Sequence, residues 1–306
     1  MIVMIVQFTK GFYHNQIKKA VEALGEECRL ISWIDFDAKI IDTLSPQRDI
    51  IFMRTGTLRA VNIARNFERR GFKVLNDSRY INISGQKLLG NIYAGSNKIP
   101  VPELSVAFKK GNNAALQGYL KAYGPLVAKP IYSRDMGRFV FRISEETLEH
   151  DLEMIASIPG QEVLLQNEIK FKKIVRTIVL GRKMLVEATT YDTKHAPDWK
   201  ATVCMNPNAK RYLDVPGKLI ELAQWTNISF GGDIAYIDFF EKEDGSYILS
   251  EINHSCGLQH HETITGIKIH EHIAQYLLER YQQNFPTLKL DLAAGQQIKL
   301  VISNAA

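Results

Sequence analysis

Three oxygen-bearing side chains lie on two apolar segments that the sequence predicts to be neighbouring strands. In YILSEINH, Glu251 and Asn253 are two residues apart, so both side chains leave the same face of a strand. In AYIDFF, Asp238 is embedded among apolar residues, where an unpaired carboxylate is costly. The intervening Asp-Gly at 244–245 predicts a hairpin. Carboxylate and amide oxygens are ligands that Mg²⁺ accepts, and pairing of the two acids with a nearby lysine or arginine is the alternative.

Two lysines fit a nucleotide held by such a metal ion. Lys129 ends the apolar run LVAKP, and Lys87 lies in the first turn of a helix that we expect to begin at Ser84. The polar turn YSRDMGR after Lys129 places Arg134 where it would cover the phosphates. Each lysine taken alone is more often a solvated surface residue. Neither GxxxxGK[ST] nor GxGxxG occurs in the sequence, so neither a P-loop nor a dinucleotide fold is indicated.

The elements that must position these residues divide into three parts. Strands and amphipathic helices alternate over residues 1–83, which predicts a parallel sheet covered by helices. Residues 84–286 mix helices with antiparallel strand pairs, and about 100–168 form a smaller subdomain within them. The fold class is therefore α/β, with α+β character in the C-terminal half. We assign no role to the tail at 287–306.

Composition excludes several classes of protein. The chain has 306 residues, of which 45% are hydrophobic and 23% charged, typical of a globular protein rather than a disordered or fibrous one. The net charge of +5 is spread along the chain and suits an enzyme that holds ATP and anionic substrates, so we expect no nucleic-acid partner and keep nucleic-acid binding as a minor alternative. No apolar run approaches the roughly 20 residues that span a bilayer, so we expect no membrane partner. The apolar opening MIVMIVQF is expected to be a buried strand rather than a leader. Three widely spaced cysteines, Cys28, Cys204 and Cys256, suit a reducing compartment, so we expect a cytoplasmic protein.

The order of the motifs resembles a known family. Over about residues 45–282 the chain is similar to the ATP-grasp ligases, above all to the RimK-type glutamate ligases and the LysX-type enzymes. The resemblance runs in order through DIIFMRTG, RRGFKVLND, SGQKLLGNIYAGSNKIPVPE, GPLVAKP, VLLQNEI, VRTIVLG, AYIDFF and LSEINHSCG. It implies a Rossmann-like N-terminal lobe and two α+β lobes that clamp ATP between antiparallel sheets.

The resemblance also implies which residues contact the nucleotide and the metal. Lys87 and Lys129 would bind the phosphates. The adenine would contact a hinge segment, largely through its backbone: Gln166, Asn167, Glu168 and Ile169. Asp238, Glu251 and Asn253 would hold Mg²⁺ or Mn²⁺, with two ions expected.

The implied chemistry is ADP-forming ligation of a carboxylate to an amine. The γ-phosphate of ATP passes to the carboxylate, and an amine attacks the resulting acylphosphate. Arg176 and Lys129 match the catalytic cations, and Arg54 matches a substrate-side arginine. Asn206 is our candidate for the family asparagine that follows Trp199. The chain departs from the family in having Ile174 where an aspartate is common, and in having a single glycine in the phosphate loop.

Five of the eight histidines lie close together after Asn253. They are His254, His260, His261, His270 and His272. Zinc binding is the alternative suggested by their number, although they lack the usual ligand spacing. The position of this loop in the family implies the acceptor pocket, where His260 or His261 would receive the amine proton.

The sequence therefore predicts a ligase that adds an amino acid to a small molecule, a peptide or the end of a carrier protein, as a homodimer or homotetramer. Two alternatives stay open. One is an ATP-grasp enzyme with another type of substrate, such as a D-alanine ligase or a carboxylase. The other is an ATP-binding regulatory protein without catalysis, which the missing aspartate and the glycine-poor loop would suit.

Overall fold

The computed structural model describes residues 1–56, 58–132, 139–185, 187–192 and 209–285. Within them the chain forms an N-terminal lobe, a small lid subdomain and a large C-terminal sheet. No helix in these ranges is long and apolar enough to cross a membrane.

The N-terminal lobe is a four-stranded parallel sheet. Its strand order is β2-β1-β3-β4, so the chain reverses its direction of winding between β1 and β3. The near-continuous apolar runs of these strands are typical of parallel strands covered on both faces. Their bounds, and those of the helices of the lobe, are β1 Ile2–Val6, α1 Phe12–Ala23, β2 Cys28–Ser32, α2 Lys39–Asp42, β3 Ile50–Arg54, α3 Leu58–Arg69 and β4 Lys73–Leu75.

Two helices connect this lobe to the lid. The first, α4, covers Ser78–Gly85 and is capped by Asp77, whose carboxylate accepts a hydrogen bond from the Tyr80 amide. The second, α5, covers Lys87–Ser96. The expected helix start at Ser84 is therefore wrong, because the Ser84 hydroxyl donates to the Tyr80 carbonyl within the last turn of α4.

The lid is an antiparallel sheet of order β5-β8-β6-β7 with two helices. Asn112 caps the first of them by accepting from the Ala115 amide. The bounds are β5 Ser105–Lys109, α6 Asn113–Tyr123, β6 Leu126–Lys129, β7 Phe141–Ile143, α7 Leu148–Ser157 and β8 Glu162–Asn167.

The large C-terminal sheet is antiparallel, in the order β12-β11-β9-β13-β14, with β10 paired to β9. The predicted hairpin at 244–245 joins its last two strands, and Gly245 adopts a φ of 73° there. The bounds are β9 Lys173–Leu180, β10 Lys183–Met184, β11 Ala188–Asp192, β12 Ala209–Tyr212, α8 Gly217–Phe230, β13 Ile234–Glu241, β14 Tyr247–Asn253, α9 Gln259–Thr265 and α10 Ile269–Asn284.

One hydrophobic core joins the N-terminal lobe to the large sheet. Met4 and Phe52 of the parallel sheet pack in the same buried cluster as Tyr236 of β13 and Leu277 of α10. The opposite face of the large sheet packs on a second cluster beneath α8. One face of the large sheet is thus turned toward the N-terminal lobe, and the candidate residues lie on that face.

A buried asparagine closes the junction between lobe and sheet. Asn76 follows β4 with φ 49°, a left-handed conformation that asparagine tolerates better than most residues. Its side-chain oxygen accepts from the amides of Asp233 and Ile234, and its amide nitrogen donates to the Ile234 carbonyl. These bonds fix the start of β13 against the parallel sheet.

Candidate active site

Four polar side chains form a row across the large sheet. Thr189 on β11 lies opposite Arg176 on β9, Arg176 lies opposite Asp238 on β13, and Asp238 lies opposite Glu251 on β14. Directly opposed residues project from the same face, so the four side chains are neighbours. Asn253 is on that face as well, two residues beyond Glu251. The predicted grouping of Asp238, Glu251 and Asn253 on one face is observed.

A β-bulge lies at the acidic end of this row. The register shifts after the pair Asp238 and Glu251, since Phe239 pairs with Leu249 and Ser250 has no opposite residue. Bulges redirect side chains and are frequent beside active sites. The bulge permits Leu249 and Ile252 to enter the apolar core while Glu251 stays on the polar face.

Asp238 forms a bidentate ion pair with Arg176. Arg176 Nε donates to Asp238 Oδ1 and Nη2 donates to Oδ2, each at 2.7 Å. Burial raises the pKa of the Asp238 carboxyl, Arg176 opposes that rise, and Glu251 adds to it. Asp238 therefore has an arginine partner, which is the alternative to a metal ion. A further cation would still stabilise the charged form of this buried acid.

Two lysines approach the acidic end of the row. Lys87 Nζ lies 3.5 Å from Glu251 Oε1. Lys129 is only 8% exposed, and its pKa falls to about 8 through burial and the charge of Lys87, while Glu251 acts in the opposite sense. A buried ammonium with a second lysine beside it is suited to bind a polyphosphate. The segment after Lys129 is tied to the start of α5, because the Lys87 amide donates to the Ile131 carbonyl at 2.8 Å.

The donor set fits magnesium rather than zinc. In the described ranges no group of three or more histidine, cysteine, aspartate or glutamate side chains is placed to hold a metal ion. Asp238 and Glu251 of the row offer two carboxylates, and Asn253, on the same face of the sheet, offers one amide oxygen. Mg²⁺ is commonly held by one or two carboxylates together with waters and nucleotide phosphates, so the set is sufficient for a nucleotide-bound Mg²⁺.

The side chains of the expected adenine segment have partners within the lid. Gln166 donates to the Ser105 hydroxyl, Asn167 accepts from the Leu104 amide, and Glu168 accepts from Arg142 Nε at 2.6 Å. These bonds hold the end of β8 and the start of its connection to β9 against the lid. Ile169 lies in that connection. The polar side chains are thus engaged in the protein, and the expected contact through backbone groups stays a prediction.

Arg54 joins the site from the N-terminal lobe. It ends β3 and is 3% exposed. Its guanidinium donates to the Tyr236 hydroxyl at 3.2 Å and to the Cys256 carbonyl at 2.8 Å. Tyr236 lies two residues before Asp238 on the same face of β13. A second buried guanidinium is thereby held near Arg176, which suits an anionic substrate group.

The two adjacent histidines have different environments. His261 is buried, its Nδ1 lies 2.7 Å from the Thr189 hydroxyl, and burial followed by the charge of Arg176 lowers its pKa to about 3. His260 is half-buried and stacks on Tyr191 at a centroid distance of 6.2 Å. Its Nε2 is buried with no hydrogen-bond partner among the described residues. His261 is therefore a neutral anchor for α9, and His260 is the base candidate of the pair.

The remaining histidines of the cluster are dispersed. His254 Nδ1 lies 3.0 Å from the Ser84 hydroxyl, and His270 Nδ1 lies 2.8 Å from Glu262. The predicted residues Arg134 and Asn206 lie outside the described residues.

Sequence reasoning missed three residues of the site: Tyr236, Thr189 and Tyr191. Tyr236 precedes Asp238 by two positions, and the alternation that placed Glu251 beside Asn253 could have found it. Thr189 and Tyr191 alternate in the same way on β11, but nothing local in the sequence shows that this strand lies beside Arg176.

Comparison with known proteins decides the family. The sequence model of the RimK-like ATP-grasp domain matches residues 86–277, which is more than half of the chain. The chain belongs to the RimK-like ATP-grasp family. The predicted ATP-dependent ligation of a carboxylate to an amine is confirmed at this level, and ATP-grasp ligases use ATP and magnesium.

Curated relatives and solved structures agree with this assignment. The α-aminoadipate–LysW ligase LysX of Sulfurisphaera tokodaii is 26% identical over 282 residues, which cover 90% of this chain and 88% of the relative. The glutamate–LysW ligase ArgX of the same organism is 24% identical over 242 residues, covering 77% and 83%. The ATP-grasp ligase PsnB complexed with minimal precursor, Mg and ADP has a TM-score of 0.69 at 15% identity, covering 92% of this chain and 97% of that one. D-cycloserine synthetase DcsG has a TM-score of 0.68 at 16% identity, covering 92% and 100%. The expected ATP-grasp fold is confirmed.

Proposed function

We propose that this RimK-like protein activates a carboxylate at the end of a carrier-type polypeptide and joins it to the amine of an amino acid. The γ-phosphate of ATP passes to the carboxylate oxygen, giving an acylphosphate and ADP. The amine then forms the C–N bond, and the C–O bond to phosphate breaks with loss of one amine proton. The observation that carries the proposal is the row Arg176, Asp238 and Glu251 with Lys87 and Lys129 at its acidic end.

The cations and acids of the row have separate roles in this proposal. Lys87 and Lys129 bind the phosphates of ATP, and Arg176 holds the reacting carboxylate and its phosphorylated form. Asp238, Glu251 and Asn253 would hold Mg²⁺, with two ions proposed. When bound, the metal offsets charge on the transferring phosphoryl group. Arg176 additionally fixes the rotamer of Asp238 through its two hydrogen bonds.

The nucleotide contacts beyond this row remain part of the proposal. The segment 166–169 contacts adenine through its backbone, because its polar side chains already bond to the lid. Arg134 and Asn206 are proposed for the phosphates and the substrate.

The acceptor side is assigned to Arg54 and His260. Arg54 binds an anionic group of the substrate, since its buried guanidinium lies beside Tyr236, on the same face of β13 as Asp238. His260 Nε2 accepts the amine proton, because this nitrogen has no partner among the described residues and the imidazole stacks on Tyr191 near Arg176.

The class of substrate rests on the relatives. Both ArgX and LysX are named as ligases that act on LysW with an amino acid, and each matches more than three quarters of this chain. A carrier-type acceptor and an amino-acid amine are therefore proposed for this protein. A cytoplasmic location and a homodimer or homotetramer are proposed with them.

Release of ADP measured against both substrates tests this function. ADP and phosphate should form only when an acid and an amine are both present. Asp238→Asn and Glu251→Gln should abolish turnover while the circular dichroism spectrum stays unchanged. Asp214→Asn and Glu243→Gln, at exposed positions, are the matched controls and should keep full activity. Full activity in both site variants would remove the metal assignment, and ATP binding without turnover across a broad set of acids and amines would favour a regulatory protein.

A further inference from the structure

A groove runs between the N-terminal lobe and the lid. It has a volume of about 850 Å³, and its N-terminal wall includes Leu58, Val61 and Ile81. The lid contributes Pro130 and Tyr132. Leu58 and Tyr132 are 56% and 45% exposed, so apolar surface is available to a partner in this groove.

Two residues of the groove wall are close chain neighbours of candidate site residues. Gly56, in its wall, is two residues beyond Arg54. Gln86 lines the groove, pairs with Tyr132, and directly precedes Lys87. A polypeptide lying in the groove would therefore place its end between the substrate-side arginine and the phosphate-binding lysines.

A basic face of helix α3 adjoins the groove at Leu58. Leu58, Asn62, Arg65 and Arg69 are spaced by three or four residues on α3, so they share one side of the helix. At 1.5 Å per residue, Arg65 and Arg69 lie roughly 10 and 16 Å along the helix axis from Leu58. Both arginines are exposed, and within the described part of the chain neither side chain has a hydrogen bond or ion pair.

The other charged residues of this helix have partners. Arg59 stacks on Trp33, and Arg70, one residue beyond the helix, pairs with Asp42. The single acid of the helix, Glu68, is turned inward and accepts from the amide and hydroxyl of Ser78. No acid on α3 therefore neutralises Arg65 or Arg69.

We propose that Arg65 and Arg69 of α3 dock an acidic stretch of the polypeptide substrate whose carboxyl end lies in the adjoining groove. The inference rests on the proposed function, because it assigns a partner to the same active site. A small acid held at Arg54 would not reach arginines that far along α3, whereas an extended chain rises about 3.3 Å per residue and covers the distance with a few residues. A nucleic acid fits less well, since much of the groove wall is apolar and two arginines neutralise only two phosphates.

Binding of labelled peptides tests the docking surface without requiring turnover. The probe is a glutamate-rich peptide of about ten residues that spans roughly 33 Å when extended, compared with a glutamine-rich peptide ending in the same glutamate. Fluorescence anisotropy is measured with the full chain. The glutamate-rich peptide should bind more tightly, and the preference should disappear at about 0.5 M salt, where exposed charges are screened.

A matched pair of double variants separates the surface from general charge. Arg65→Glu with Arg69→Glu should weaken binding of the acidic peptide at least about fivefold, because attraction at two exposed sites becomes repulsion. Lys19→Glu with Lys183→Glu makes the same change in net charge at exposed positions elsewhere and should leave binding nearly unchanged. Equal weakening by the two double variants, or equal binding of the two peptides to the wild type, would overturn the proposal. So would tighter binding of a single-stranded oligonucleotide of the same length.

The test separates this inference from the proposed function. If the enzyme turns over but both double variants bind the acidic peptide like the wild type, the docking surface is wrong and the ligase assignment is unaffected. If the peptide result is as expected but no acid and amine yield ADP, the surface stands and the proposed function fails.

Discussion

Replacing Arg176 by methionine isolates the buried ion pair at the centre of the site. The side chains of Arg176 and Asp238 are only 10% and 6% exposed, and two hydrogen bonds of 2.7 Å join them. Methionine keeps much of the volume but leaves the carboxylate buried without its cation. Breaking a buried pair in this way typically costs about 3–5 kcal/mol. For a chain of this size that cost lowers the unfolding midpoint by roughly 5–8 °C.

The cost should depend on pH in one direction. Burial already raises the pKa of the Asp238 carboxyl, and Arg176 opposes that rise, so Arg176→Met raises it further. A carboxyl whose pKa is higher in the folded state destabilises the protein as pH rises through that value. The difference between Arg176→Met and wild type should therefore be small near the unfolded pKa of about 4 and grow toward neutral pH.

A double-mutant cycle measured by calorimetry provides the assay. Adding Asp238→Asn to Arg176→Met removes the unpaired charge, so the double variant should recover much of the loss, with a coupling energy of at least about 2 kcal/mol. Arg142→Met, which breaks the more exposed pair with Glu168, is the control and should cost at most about 1 kcal/mol. Single-variant costs that simply add within about 0.5 kcal/mol would refute the reasoning.

Three further predictions concern single residues. Between pH 7 and pH 5 the unfolding free energy of His261→Asn should fall by about 2 kcal/mol less than that of the wild type, because a histidine with folded pKa about 3 must take up a proton on unfolding. The same pH profile of the unfolding free energy in variant and wild type would contradict the burial of His261 as a neutral anchor. Asn76→Ala should destabilise by about 2–4 kcal/mol and Asn76→Gly by less, since both lose the buried bonds to β13 but glycine accepts the positive φ; equal unfolding midpoints for the two variants would contradict the backbone part of this argument. Lys129→Gln should raise the dissociation constant of ADP at least about tenfold by calorimetric titration, whereas Lys121→Gln, on the exposed face of α6, should not; similar affinities would exclude Lys129 from the phosphate site.

Local pattern was sufficient where strand alternation and turn chemistry act together. Glu251 and Asn253 share a face because they are two apart, and the Asp-Gly turn at 244–245 pairs β13 with β14. The register of the turn alone would set Asp238 opposite Ser250, and the bulge brings Glu251 to that place instead. Arg176 could be proposed from its motif, but its pairing with Asp238 joins residues 62 apart in the chain. No local periodicity encodes that contact.

Helix bounds and histidine roles show where local pattern was insufficient. Ser84 has the chemistry of an N-cap, yet Asp77 caps the earlier helix and leaves Ser84 in its last turn. His260 and His261 are adjacent in sequence, and only the packing of α9 on β11 separates a buried neutral anchor from a half-buried candidate base. The bulge after Asp238 likewise follows from fitting Leu249 and Ile252 into one core, which depends on the whole sheet.

Binding of Mn²⁺ in the presence of ADP, followed by electron paramagnetic resonance, tests the central claim most directly. The claim is that the acidic end of the row, where Asp238 and Glu251 oppose each other beside two lysines, holds the metal of the nucleotide. Wild type and Glu221→Gln, a control on the exposed side of α8, should bind Mn²⁺ and ADP alike, and Glu251→Gln should bind at least about tenfold more weakly. Equal binding by all three proteins would contradict the account.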